Sequence, residues 1–272
     1  MQISAKISEK LLPAAAQLGF CGTDESFLLY EQRERILSDD YAREMTALSQ
    51  KIHSFGMRVC QTHMTFLPSH HPPMDGYEKY CAYFLPIYEK EIELTAQMGC
   101  PTAVMHPYFT EDAAESRAVN VHLIEQMLPR LESCGVILSL ENIYAMEGGE
   151  AHHTTAEDML YYAEYFRSPY VGICLDTGHA VTRRQNPSEM LKKVLPHLTA
   201  LHLHATVPGQ DLHALPYMAG GANWEEIGSL LRSSSYRGTF NLECKPSAKF
   251  SDEAAKLYYK LAYRIAADII GE

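Results

Sequence analysis

The chain has 272 residues, 46% hydrophobic and 21% charged, the composition of a globular protein with a large core. Its 34 acidic residues outnumber 23 basic ones, and a formal charge of −11 argues against broad binding to nucleic acid or anionic membranes, which need a basic surface. No apolar run is long enough to cross a bilayer, the opening MQISAKISEK does not read as a secretory leader, and seven cysteines without a CxxC read as reduced thiols in a cytoplasm.

Short apolar or β-branched runs read as strands: 2–8 (QISAKIS), 20–26 (FCGTDES), 58–64 (RVCQTHM), 102–108 (TAVMHPY), 136–142 (VILSLEN), 171–177 (VGICLDT), 198–204 (LTALHLH) and 239–245 (TFNLECK). Amphipathic stretches between them read as helices. Thr155 ahead of AEDMLYYAEYF and Asn223 ahead of WEEIGSLL are helix starts, each with acidic residues in the first turn. In 251–270, Leu257, Leu261, Ile265 and Ile269 recur every four residues and predict the buried face of a last helix. Eight runs in 272 residues average about 34 each, enough for one βα unit. Such alternation calls for a parallel sheet with helices outside it. With no GxGxxG and no GxxxxGK[ST], a closed α/β barrel, the (β/α)8 or TIM barrel, is expected as a single domain over 1–272.

Catalytic groups of such a barrel lie at the C-terminal strand ends. His63 ends the third run, His106 follows the fourth, Glu141 and Asn142 end the fifth, and Asp176 and His179 close the sixth. His202 and His204 lie on the seventh, Asp211 and His213 just beyond, and Glu243 ends the eighth. Six histidines and four carboxylates thus gather on one rim. Crowded carboxylates repel without a cation, so a divalent metal is expected: Mn, Mg, Co or Zn. Taken alone, a strand-end His is more often structural and Asp176 could simply cap a helix; their joint occurrence carries the reading. His70, His71, His152 and His153 read as solvated loop residues.

These residues make the chain resemble the xylose isomerase-like TIM barrel superfamily, which holds sugar isomerases and epimerases together with endonuclease IV. The motifs are MHP (105–107), LEN (140–142), LDTGH (175–179), HLH (202–204) and LEC (242–244). Resemblance to the ketose 3-epimerase branch implies one metal held by Glu141, Asp176, His204 and Glu243, with Glu141 and Glu243 doubling as the acid/base pair. It also implies that His179 contacts substrate oxygens. That branch has an Arg shortly after its metal-binding His, where this chain has VPGQD. Resemblance to endonuclease IV implies three zinc ions, with His63, His106, His179, Asp211 and His213 as further ligands.

The expected function is isomerisation or epimerisation of a small sugar or hydroxy-carbonyl compound, by glutamate proton transfer through a metal-stabilised enediolate. His63, His106, His179, Asn142 and Trp224 would contact that substrate. A free sugar is favoured over a sugar phosphate, because no phosphate-binding signature is visible. The alternative is an endonuclease IV-like trinuclear zinc phosphodiesterase acting on abasic DNA. A lyase or dehydratase, or a non-catalytic sugar-binding protein, stands behind these. No membrane or nucleic-acid partner is expected, and the resemblance is compatible with a homo-oligomer.

Overall fold

All eight expected strands form: β1 (Ile3–Ala5), β2 (Gly22–Ser26), β3 (Arg58–His63), β4 (Thr102–Met105), β5 (Ile137–Glu141), β6 (Val171–Asp176), β7 (Leu198–His202) and β8 (Phe240–Leu242). The computed structural model describes residues 1–27, 32–65, 77–109, 112–144 and 152–272, the side chains of Arg33 and Tyr77 excepted. Consecutive strands pair in parallel from β1 to β7, and β8 pairs with β1. The ring is drawn together between β7 and β8 by Leu203, whose N–H donates to Asn241 O (3.0 Å) and whose carbonyl accepts from Glu243 N (3.1 Å). The result is a nearly closed (β/α)8 barrel.

Ten α-helices occur among the described residues. They are α1 (Leu12–Leu18), α2 (Arg33–Ile36), α3 (Asp39–Ser54), α4 (Tyr77–Gln97), α5 (Ala113–Cys134), α6 (Ala156–Phe166), α7 (Thr177–Thr182), α8 (Pro187–Val194), α9 (Trp224–Ser233) and α10 (Asp252–Ile270). Both expected starts hold. Thr155 forms a capping box with Asp158, and the Asn223 side chain accepts from Glu226 N, satisfying amides that have no partner within the helix.

The buried face of α10 differs from the expected one. Ala255, Tyr259, Ala262, Ala266, Ile269 and Ile270 are buried, whereas Leu257 is 66% and Leu261 45% exposed. A four-residue step advances about 40° around a 3.6-residue helix. The series Leu257, Leu261, Ile265, Ile269 therefore winds from solvent to core instead of following one face. Small alanines carry the contact where α10 packs on α1, β1 and β8.

Side-chain alternation divides each strand between two environments. Outward residues such as Leu138, Leu140, Ile173, Leu175, Leu201 and Leu203 pack into the large core beneath the helices. The barrel interior holds a small apolar group, Val104, Cys174 and Ala200, and a polar one. In the latter, Ser4 Oγ donates to Asn241 Oδ1 (2.7 Å), while Asn241 Nδ2 (2.9 Å) and Gln61 Nε2 (3.2 Å) donate to Asp24 Oδ2. This layer is the floor of the site.

Candidate metal centre

Continuing the inward parity of each strand by two residues brings the rim into view. Gln61 leads to His63, Val104 to His106, Ser139 to Glu141, Cys174 to Asp176, Ala200 to His202 and His204, and Asn241 to Glu243. Glu141 is the hub. It is 1% exposed, and its Oε2 lies 3.3 Å from His63 Nε2 and 3.2 Å from His106 Nε2. Its Oε1 lies 3.1 Å from His202 Nδ1 and 3.2 Å from His179 Nδ1. His202 Nδ1 is also 3.6 Å from Glu243 Oε2, while its Nε2 faces Asp24 Oδ2 at 3.4 Å.

A second group adjoins the first. His204 Nε2 lies 3.2 Å from Asp176 Oδ1 and 3.5 Å from Asp211 Oδ1, and its ring stacks on His213 at 4.1 Å. His213 Nε2 is 3.1 Å from Asp211 Oδ2, which is also 4.0 Å from His179 Nε2. Gly178 makes this packing feasible, since a Cβ there would lie 1.8 Å from His204 Cε1.

The electrostatics are those of a cluster short of positive charge. Burial pushes Glu141 up, but His202 and His106 outweigh it and hold the carboxyl well below its usual range. Burial likewise works against Asp176, which His179 and His204 nonetheless keep low. Burial disfavours the charged form of His179 and of His213, yet Asp176 and Glu141 raise the first to about 10, and Asp211 and Glu243 raise the second to about 9. Burial also opposes a charged His202, but Cys174, Glu141, Glu243 and Asp24 hold its pKa well above the ordinary value.

The donor set fits a divalent cation. Both Glu141 oxygens, Asp176 Oδ2, Asp211 Oδ1 and both nitrogens of His202 and His204 are buried and receive or make no aligned hydrogen bond among the described residues, despite the short distances. Asp176 Oδ1 meanwhile caps α7 by accepting from His179 N at 2.6 Å. His63, His179 and His213 each donate Nδ1–H to a backbone carbonyl, of Met64 (2.9 Å), Asn142 (2.8 Å) and Glu243 (2.8 Å). That occupies Nδ1 and turns Nε2 of each ring toward a carboxylate of the cluster, Glu141 for His63 and Asp211 for His179 and His213, as in histidine ligands held by a second layer of hydrogen bonds. Three groups bring their donor atoms within 4.8 Å of one another: His63/Glu141/His202, Glu141/Asp176/His202/Glu243, and His204/Asp211/His213.

The residues expected at the site fall into three classes. Glu141, Asp176 and Glu243 come together, but the histidine beside them is His202; His204 instead joins Asp211 and His213. Both face inward by period two; the register pairs Asp176 with His202, and His204, one step higher, still reaches Asp176 Oδ1 at 3.2 Å. His63, His106, His179, Asp211 and His213 line a cavity of about 330 Å³ together with Glu141 and Glu243. Asn142 and Trp224 do not. The Asn142 side chain is engaged with the Asp176 backbone, donating to O (2.9 Å) and accepting from N (2.8 Å). Trp224 is 1% exposed at the start of α9, where the helix turns the indole into the core. His153 is buried rather than solvated, with Tyr162 Oη 2.5 Å from its Nε2, while His70 and His71 lie outside the described residues. The sequence reading missed Lys6, Ser26, Tyr144 and Lys245, which also line the cavity, and Asp24 beneath His202. The alternation of β1, β2 and β8 carries a signal for Lys6, Ser26 and Lys245.

Residues 12–261 match the xylose isomerase-like TIM barrel family. The uncharacterized protein y4fM of Sinorhizobium fredii is 25% identical over 181 residues, 65% of this chain and 57% of that protein. Inosose dehydratase 1 of Bacillus cereus is 24% identical over 180 residues, 60% of this chain and 58% of that one. The matches thus span under two thirds of those relatives' length. A D-tagatose 3-epimerase-like protein superposes with a TM-score of 0.74 at 18% identity, covering 100% of this chain and 98% of that one.

Proposed function

Since the chain belongs to the xylose isomerase-like TIM barrel family, we propose that it is a divalent-metal-dependent isomerase or epimerase of a small sugar or hydroxy-carbonyl compound. The observation that carries this reading is the pairing of Glu141 and Glu243 across His202 Nδ1 (3.1 and 3.6 Å), both carboxylates opening on one cavity of sugar-sized volume. Glu141, Asp176, His202 and Glu243 would hold the cation. Bound there, it supplies a Lewis acid for neighbouring carbonyl and hydroxyl oxygens.

The remaining work belongs to the side chains. Glu243, 13% exposed, is the more open carboxylate and removes the proton from the carbon next to the carbonyl; Glu141, at 1%, returns one from the deeper side. His63, His106, His179 and His213 present ring edges into the cavity and orient substrate hydroxyls. Asp24 holds the His202 ring from behind, and Asn142 fixes β6 against β5. The names of the D-tagatose 3-epimerase-like neighbour and of the inosose dehydratase support sugar chemistry that begins with proton abstraction.

The test is proton exchange. Incubation with a ketose and inosose panel in D2O should place deuterium next to the carbonyl, with epimer or isomer as product, and Glu243→Gln should abolish it. Loss of water from the product would move the assignment to a dehydratase. No exchange with any compound would sink the reading.

One observation favours a second reading. His63 and His106 converge on the same oxygen of Glu141, and His204, Asp211 and His213 form a separate group. Those sets would suit the trinuclear zinc phosphodiesterase. A chain of formal charge −11 weighs against DNA as its substrate, and cleavage of an abasic-site duplex tests it.

A further inference from the structure

We propose that the substrate carries an anionic group, a phosphate or a carboxylate, received by Lys6 and Lys245 on the side of the barrel mouth facing Glu141. The proposal rests on the isomerase reading only for the position of the reacting carbon.

Lys6 follows β1 and Lys245 follows β8, and these strands pair in register, Ala5 opposite Leu242. Lys6 has the inward parity of Ser4, and Lys245 that of Asn241 and Glu243. Both lysines therefore line the cavity that holds Glu141 and Glu243. In a ring of eight strands β1 stands opposite β5, so a molecule reaching from Glu141 to Lys6 crosses the mouth. The other ionisable groups on the cavity wall are imidazoles, carboxylates and the Tyr144 phenol. A substrate held by Glu141 and the cation on one side thus meets two ammonium groups on the opposite wall, which also carries Glu243.

Neither ammonium is neutralised by a direct ion pair among the described residues. Lys6 Nζ donates to Ser26 Oγ, and its backbone is fixed by Tyr259 Oη donating to its carbonyl at 2.7 Å. Asp24 and Glu25 both feel the Lys6 charge without a direct ion pair to it, and Asp24 is engaged by Gln61, Asn241 and His202. Lys245 is exposed and has no hydrogen-bond or ion-pair partner among the described residues. By contrast Lys10, Lys51, Lys192 and Lys193 all pair with carboxylates.

The two lysines also line an adjoining cavity of about 530 Å³, whose walls carry Lys10, Asp24 and Glu25 along with Ser8, Ser247 and Phe250. They stand at the junction of the two spaces, where a charged group can be held while its hydration shell extends outward. An oxyanion with several acceptor oxygens can take hydrogen bonds from both amines at once. The absence of a glycine-rich phosphate motif is compatible with such a site, because side chains rather than backbone amides supply the donors.

The test uses the full-length, metal-loaded protein and its Lys6→Met, Lys245→Met and double variants, with melting curves to establish folding. Inorganic phosphate and acetate are titrated calorimetrically, and the tighter of the two identifies the group. Binding should weaken roughly tenfold per lysine removed. Binding unchanged in the double variant places the anion on the metal and overturns the proposal, as does absence of binding at millimolar concentration. Substrate pairs then compare a neutral sugar with its phosphate or its acid. The anionic member should be preferred, and Lys245→Met, or Lys245→Glu more strongly, should erase that preference while sparing the neutral one. Turnover without preference refutes the anion site and leaves the isomerase reading standing. Lysine-dependent phosphate binding with no turnover of any sugar supports the anion site and fails the isomerase reading.

Discussion

Replacing His202 by Ala separates the proposed ligand set from the family resemblance, because the resemblance implies His204 as the ligand and the proposal places His202 there. The substitution deletes a fully buried ring whose Nδ1 lies 3.1 Å from Glu141 and 3.6 Å from Glu243, and whose Nε2 faces Asp24 at 3.4 Å. Breaking a buried charge pair costs about 3–5 kcal/mol. Asp24 retains donors from Gln61 and Asn241, and Glu141 retains His63, His106 and His179 within 3.3 Å, so the lower end, about 3 kcal/mol, is expected in metal-free protein. For the metal, losing even an outer partner of a ligand costs 10–100-fold, so losing the ligand should weaken affinity by at least ~100-fold. Wild type in metal at a hundred times its Kd gains about 2.7 kcal/mol; the variant should lose nearly all of it. His204→Ala, which removes a partner of Asp176 and Asp211 but touches neither glutamate, should cost only the roughly 10–100-fold of an outer partner. Manganese titration by calorimetry, with urea unfolding in the presence and absence of metal, measures both. If His204→Ala loses the metal and His202→Ala keeps it, the proposed ligand set is wrong.

Other outcomes follow from the same geometry. Glu243→Gln should lower turnover by roughly 10²–10⁴-fold, read as loss of deuterium exchange on a substrate that the wild type exchanges. Glu91 is fully buried, and its carboxylate accepts from Thr65 N (3.0 Å) and Thr65 Oγ1; burial outweighs these bonds and lifts its pKa to about 8. The folded state then binds more protons than the unfolded state between the ordinary carboxyl pKa near 4.5 and about 8. Stability should therefore fall as pH rises through that window, by at most about 5 kcal/mol, and urea midpoints for Glu91→Gln should lose that slope. Gly178→Ala places a Cβ 1.8 Å from His204 Cε1, so α7 or the imidazole must move; a loss of about 1–3 kcal/mol is expected. Unchanged stability in that variant would mean that His204 has room the structure does not give it.

The barrel was legible because parallel strands buried on both faces read as apolar runs, and because polar residues at their ends break the run at the same point each time. Helix starts at Thr155 and Asn223 were legible because capping is local chemistry. Depth was not. Period two makes His202 and His204 equivalent, and only the tertiary structure sets that His202 meets Glu141 and Glu243 while His204 meets Asp176 and Asp211. Trp224 and Asn142 were misplaced for a related reason: a residue at a strand end or helix start can face the cavity or the neighbouring backbone, and tertiary contacts choose. The α10 stripe failed because a step of four is not the helical period. Lys6 and Lys245 were readable by alternation but lay next to a motif-rich set of histidines that drew the eye.

Metal content per chain, by elemental analysis of protein purified without chelators or an affinity metal, bears most directly on a centre built from Glu141, Asp176, His202 and Glu243. About one equivalent of Mn, Mg, Co or Zn is expected, falling to a small fraction in His202→Ala. Three equivalents of zinc, with His106 and Asp211 both needed to retain them, would contradict the single-site isomerase and favour the hydrolase. No metal after soaking would contradict both.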